Sequence, residues 1–216
     1  MLKRCQYRNE RQKNQNLKRN RCPLGAVYKA NPVTSLPWEE EAPSRYLIEL
    51  VESGKVEVGP VLDICTGSGN NAVYLAGKGY ACHAVDISST AIDIAREKAA
   101  KAGVTCDFRV GDVLDLAFHD NTFNLVFDRG CFHNFAPSQR GAFINEIYRV
   151  LKPGGLYQLN SFSKKGRRWG GPPYGFSPSD IRKLFHPPFE ILQIKEISLG
   201  NESGQFFLSA LMKKPN

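Results

Sequence analysis

The sequence predicts an α/β sandwich built on a seven-stranded sheet whose last strand is antiparallel, and three observations lead there. From about residue 43, short apolar runs alternate with stretches of helical period. Helices between such runs imply parallel strands joined by crossovers. Only residues 198–204 separate the last two runs, too few for a crossover, so the final strand must turn back on its neighbour. With 216 residues, 42% hydrophobic and 23% charged, the chain has material for one core and one domain.

The elements follow in order. A helix begins near Pro43 and Ser44, runs through Leu47, Leu50 and Val51, and stops at Gly54. Val61 to Ile64 is the first strand; a glycine-rich turn follows, then a helix through Ala72, Leu75 and Ala76. Tyr80 to Val85 is the second strand. Ser88 or Ser89 caps the next helix, where Ala91, Ala95 and Ala99 share one face and Gly103 ends the run. Strands are expected at 104–110, 123–128, 156–161, 189–197 and 205–212. Helices fit 138–151, with Phe143, Ile147 and Leu151 at i, i+4 and i+8, and 178–185, where Ser177 caps and Pro178 takes the first position.

Charge is unevenly distributed. Residues 1–22 carry eight basic side chains against Glu10 alone, which is +7 of the chain's net +8. This Asn/Gln-rich stretch has too few apolar residues to offset the entropy of ordering, so residues 1–30 are expected as a basic, disordered tail and 31–216 as the domain. The tail could serve as an RNA-binding or targeting arm, or simply be solvated. No apolar run reaches the ~18 residues of a membrane span, and the first 30 residues lack a secretory stretch. No membrane partner is expected. The six cysteines form neither a C-x-x-C pair nor a zinc-spaced set, so no metal is expected. Cys65, Cys82, Cys106 and Cys131 lie in or beside apolar runs and read as buried reduced thiols of a cytoplasmic protein.

The chemistry is carried by three carboxylates at strand ends. Gly67-x-Gly69-x-x-Ala72 alone satisfies a dinucleotide fingerprint, where glycines admit the backbone to a pyrophosphate. Asp63, just before the turn, would repel that pyrophosphate and suits a cationic group. Asp86, 17 residues beyond Gly69, can accept both ribose hydroxyls. Asp112 after the third strand can accept from an adenine amino group while Val113 packs beside the ring. Adenine, ribose and an amine without phosphate describe S-adenosylmethionine (SAM). Taken singly, Asp63 could cap the following helix and Asp112 could be a turn residue.

Over residues 36–212 the chain resembles the class I SAM-dependent methyltransferases, through the Gly67/Gly69 turn, Asp86, Asp112 and the Leu151-Lys152-Pro153-Gly154-Gly155 turn. The resemblance implies a Rossmann-like class I methyltransferase fold with strand order 3-2-1-4-5-7-6, the seventh antiparallel. It implies a cofactor site of Trp38, Asp63, Thr66, Gly67, Gly69, Asp86, Ile87, Asp112, Val113 and Arg129. Where the family usually has its first glycine, this chain has Cys65.

Shorter segments resemble the thiopurine, thiol and halide methyltransferases. These are Pro37-Trp38-Glu39, Phe127-Asp128-Arg129-Gly130, and Trp169-Gly170-Gly171-Pro172-Pro173-Tyr174. Phe132-His133 also resembles a motif of tellurite-resistance-type enzymes. This resemblance implies a small soft acceptor: a thiol, a thiopurine-like or chalcogen species, or a halide. Such nucleophiles need little base catalysis. Arg129 and His133 are the catalytic candidates, Arg129 to favour an anion and His133 to take a thiol proton. The competing readings are an ion pair between Arg129 and Asp128 and a packed loop histidine. Lys164, Lys165, Arg167 and Arg168, with Gly166, Gly170 and Gly171, make either a lid or a solvated loop. The alternatives at the level of function are an O- or N-methyltransferase for a larger metabolite or RNA, and a SAM-binding module without catalysis.

Overall fold

The strands are β1 (Pro60–Ile64), β2 (Ala81–Asp86), β3 (Asp107–Val110), β4 (Phe123–Arg129), β5 (Leu151–Phe162), β6 (Glu190–Ser198) and β7 (Phe206–Lys213). They form one sheet in the order β3-β2-β1-β4-β5-β7-β6, the order the resemblance implies. β1 pairs in parallel with β2 and β4, and β7 is antiparallel to both β5 and β6. This computed structural model describes residues 27–28, 30–31, 33–40, 42–166, 170–198 and 206–216. Most of the expected tail, and Arg167, Arg168 and Trp169, lie outside the described residues.

Among the described residues, the helices that cover the two faces are α1 (Arg45–Glu52), α2 (Asn70–Gly77), α3 (Ser89–Lys101), α4 (Pro137–Val150) and α5 (Pro178–Phe185). Alternation along the strands sends Leu62, Ile64, Val126 and Tyr157 into one core, where Phe143, Ile147, Ile181 and Phe185 of α4 and α5 meet them. Val61, Leu125 and Phe127 enter the other core, against Leu47 and Leu50 of α1, Leu75 of α2 and Ala95 of α3. A sheet covered on both faces needs near-continuous apolar strands, and β1 is fully buried from Val61 to Ile64.

Caps fall where the sequence places them. The Ser88 hydroxyl accepts from the Ala91 N–H at 3.2 Å, and Ser177 and Asp180 form a reciprocal capping box at the start of α5. Residues 151–155, expected as a turn, are instead part of β5. Phe123 pairs with Leu151 and Leu125 with Leu156, so residues 152–155 bulge out at the start of β5, with Gly154 at φ +77°.

One further expectation is corrected. Cys65 and Cys131 are joined in a disulfide and are not reduced thiols, whereas Cys82 and Cys106 are free. The backbone places the thiols of two neighbouring turns face to face, which spacing in sequence does not reveal. The bridge removes one ground for inferring a reducing compartment. Within the expected tail, Tyr28 is buried and packs with Leu36 and Ala91. No described helix is long and apolar enough to cross a membrane.

Gly69 holds φ +83°, and a Cβ there would lie 2.7 Å from the Ala95 Cβ, so the turn packs directly on α3. Gly69→Ala is expected to lower unfolding free energy by about 2 kcal/mol through left-handed strain and overpacking. A urea midpoint equal to that of the parent would contradict this packing.

Candidate active site

The carboxyl ends of β1, β2 and β4 converge on one edge of the sheet, where ligands of open α/β folds bind. The turn after β1 runs Cys65, Thr66, Gly67, Ser68 and Gly69, and Gly67 adopts φ +55°. A Cβ at Gly67 would come within 2.9 Å of Glu39 Oε1 and of the Tyr28 hydroxyl. The Gly67 N–H donates to Asp86 Oδ2 at 3.0 Å, and the Ser88 N–H donates to Asp86 Oδ1 at 2.8 Å. Each carboxylate oxygen keeps acceptor capacity beyond these bonds, so Asp86 fits a ribose diol. Burial raises its pKa above the usual carboxylate range, an effect its backbone donors oppose.

Asp63 is 1% exposed and accepts from the Thr66 hydroxyl at 2.5 Å. Its carboxylate therefore braces the glycine-rich turn from beneath. Asp112 is half-buried and accepts from the Leu114 N–H at 3.0 Å, and Val113 is buried in the core. Ile87 is half-buried at the end of β2. Asp63, Asp86, Ile87, Asp112 and Val113 lie at or just past the carboxyl ends of β1, β2 and β3.

Asp128 has a bracing role that its sequence neighbourhood does not reveal. It is fully buried and accepts from the Cys131 N–H at 2.7 Å, the Phe132 N–H at 3.1 Å and the Tyr157 hydroxyl at 2.8 Å. It thus anchors the turn that carries Cys131 and His133. Arg129, next in sequence, points the other way, pairing with Glu40 and donating to the Trp38 carbonyl at 3.2 Å. The ion pair between Arg129 and Asp128 does not form because successive strand residues face opposite sides.

The segment before α1 closes the outside of the turn. Trp38 Nε1–H donates to the Tyr28 hydroxyl at 3.0 Å, and that hydroxyl donates to Glu39 Oε1 at 2.8 Å. Glu39 also accepts from the Ser68 hydroxyl, to which Lys98 of α3 donates. Nothing in the local pattern around Glu39 or Lys98 marks them, since residues 39, 68 and 98 meet only in the fold. His133 is 7% exposed, stacks on Phe162 with ring centroids 4.9 Å apart, and accepts at Nδ1 from the Phe162 N–H at 3.4 Å. A neutral ring accepting at Nδ1 carries its proton on Nε2. The carbonyl of His133 receives the Tyr174 N–H, which ties the Gly-Pro-Pro loop to this turn. Of the basic run, Lys164 pairs with Asp180 and Lys165 lies over the Phe206 ring. Among the described residues no cluster of three or more His, Cys, Asp and Glu side chains could hold a metal.

An acidic strand edge, a positive-φ glycine turn and a carboxylate closing the second strand are the features that the resemblance to class I SAM-dependent methyltransferases leads one to expect. Comparison with known proteins agrees. Residues 61–155 match the family described as "Methyltransferase domain". A "2-heptyl-1-hydroxyquinolin-4(1H)-one methyltransferase" of Mycobacteroides abscessus is 33% identical over 59% of this chain, and the match spans about half of that enzyme's length (56%). A "Probable thiol methyltransferase 2" of Arabidopsis thaliana is 29% identical over 78% of this chain and 76% of its own. A solved structure described as "Conversion of a Disulfide Bond into a Thioacetal Group during Echinomycin Biosynthesis" superposes with a TM-score of 0.77, at 27% identity, over 89% of this chain and 92% of its own. Residues 61–155 are thus similar to a methyltransferase domain, and that similarity supports SAM as the cofactor.

Burial pushes both Asp63 and Asp128 up to about 7, and for Asp63 the neighbouring Asp128 adds to the effect. An acid raised in the folded state binds more protons folded than unfolded between its ordinary pKa and the raised one. These two groups therefore stabilise the fold most below about pH 4 and lose that contribution as pH rises to about 7. Urea unfolding across pH 4 to 8 is expected to show this decline, and Asp128→Asn is expected to flatten it. An identical slope in the variant would refute the assignment to Asp128.

Proposed function

We propose that the chain transfers a methyl group from SAM to a small soft nucleophile: a thiol, a thiopurine-like or other sulfur, selenium or tellurium species, or a halide. One observation carries this reading. The bases nearest the proposed acceptor side already hold partners: Asp128 two N–H groups and Tyr157, Glu40 the guanidinium of Arg129, and His133 Nδ1 the Phe162 N–H. An acceptor that needs no proton removed, or that is already a few per cent ionised at pH 7, fits such an edge. The printed names of the Arabidopsis relative and of the thioacetal structure both concern sulfur, which supports the same class.

SAM, when bound, supplies an electrophilic methyl group on a sulfonium. The residues proposed to hold it are Asp86 at the ribose, Asp112 and Val113 at the adenine, Ile87 beside them, and Thr66, Gly67 and Gly69 beneath the methionine part. Asp63 adds negative potential under that part, and Trp38 and Arg129 close the mouth. Arg129 and His133 face the acceptor side, where the guanidinium favours an anionic nucleophile and the stacked imidazole shapes the wall. Alignment of donor and acceptor can provide about 7–11 kcal/mol of barrier lowering without acid or base. A second reading, a larger aromatic metabolite as acceptor, draws on the hydroxyquinolone named for the Mycobacteroides relative.

The test is S-adenosylhomocysteine formation from SAM with a small thiol, a thiopurine, iodide, hydrosulfide or a hydroxyquinolone, each against a blank without acceptor. Turnover with the first four carries the soft-nucleophile reading; turnover with the hydroxyquinolone alone replaces it with the second. Asp86→Ala is expected to weaken SAM binding by roughly one to two orders of magnitude, as charge-assisted hydrogen bonds worth about 1.5–3 kcal/mol are lost. Unchanged affinity would displace the ribose from Asp86.

A further inference from the structure

The strand order singles out one crevice. β2 and β3 lie on one side of β1, while β4 and β5 lie on the other, so the connections leaving the carboxyl ends of β1 and β4 part in opposite directions. Ligands of doubly wound sheets bind at this topological switch point. Cys65 is the first residue past β1, and Cys131 lies two residues past β4. Their disulfide crosses between the two turns at that point and joins residues 66 apart in sequence. It holds their Cα atoms 5.5 Å apart, close to the ~4.8 Å spacing of paired strands. The bridge therefore ties the two turns together where a ligand would enter.

The two partners differ in access. Cys65 is exposed, whereas Cys131 is fully buried and its N–H is held by Asp128. We propose that Cys65 and Cys131 form a thiol–disulfide exchange site that gates the cofactor crevice: the bridged form is closed to the methionine part of SAM, and reduction by a dithiol opens it. This rests on the cofactor placement given under Proposed function. One thiolate of the dithiol attacks the Cys65 sulfur, the bond to Cys131 breaks, and its electron pair stays on the Cys131 sulfur, which takes a proton. The second thiol of the reductant then closes on the first and releases Cys65 as a thiol. The protein gains two hydrogens, and the dithiol becomes a disulfide. Asp128 keeps the backbone of the Cys131 turn in place throughout, so the change is confined to the bridge and the turn after β1.

The experiment uses the full chain in two states, treated with oxidised glutathione or with dithiothreitol, then desalted without air. Differential alkylation with peptide mass spectrometry reads the state of Cys65 and Cys131 separately from the other four cysteines. Calorimetry then measures binding of S-adenosylhomocysteine, which carries no methyl group to transfer. The reduced protein is expected to bind roughly tenfold or more tightly than the bridged one, and in mixtures the bound stoichiometry should follow the reduced fraction. Cys131→Ser is expected to bind equally with and without dithiothreitol. Equal affinity of the two wild-type states overturns the gate and leaves the methyltransferase reading intact, as does failure of Cys65 and Cys131 to bridge under oxidised glutathione. Absence of binding in both states overturns the cofactor placement and the gate with it.

Discussion

The parallel ladder between β1 and β4 is the constraint on which the site depends. It pairs Asp63 with Phe127 and Ile64 with Asp128, so the turns that follow the two strands start side by side. Because the remaining strands are laid outward from this pair, the connections separate above it and leave a crevice at the carboxyl edge. Asp63, Cys65, Thr66, Gly67, Arg129 and Cys131 lie at or just past the ends of these two strands, and Asp86 accepts from the turn after β1. A slip of one residue in this ladder would exchange Asp128 with Phe127 across the sheet and expose an aromatic ring where a carboxylate is needed.

Three buried carboxylates at one edge would be costly without compensation, and each is compensated differently. Asp86 receives backbone donors from its own strand end and from the glycine turn. Asp63 receives one hydroxyl and is the most weakly supplied, which suits a residue left to interact with a cationic ligand. Asp128 receives two N–H groups and a phenol and acts as a structural hub. The protonation of the last two is coupled to burial, so the electrostatics of the cofactor edge and the stability of the fold vary with pH together. Arg129 lies within the field of Asp63 and lowers its pKa, while its own charge is paired with Glu40 at the mouth of the crevice.

The segment over residues 36–40 links the cofactor turn to the acceptor side. Glu39 binds Ser68 of the turn, and Glu40 binds Arg129 past β4, so neighbouring residues grip the two halves of the crevice. Tyr28 supports them through Trp38 and Glu39, and its buried hydroxyl is held far from ionisation. The partner that Arg129 selects follows from strand geometry: at the end of β4 the guanidinium faces solvent and this segment, while Asp128 faces the interior.

Periodicity and punctuation determined the elements. Apolar runs of strand length, the Ser88 and Ser177 caps and the short final connection specify the number of strands and the reversal of the last. The glycine turn and the acids at positions 63, 86 and 112 were legible because they sit at fixed offsets from strand ends, where local spacing and chemistry coincide. Pairings between distant segments were not legible, because sequence distance carries no information on which turns meet. The tertiary structure alone decided that Cys65 faces Cys131, that Asp128 serves Tyr157 and its own turn, and that Arg129 turns to Glu40. It decided these because the β1–β4 register sets which side chains face the interior and which turns stand within bonding distance.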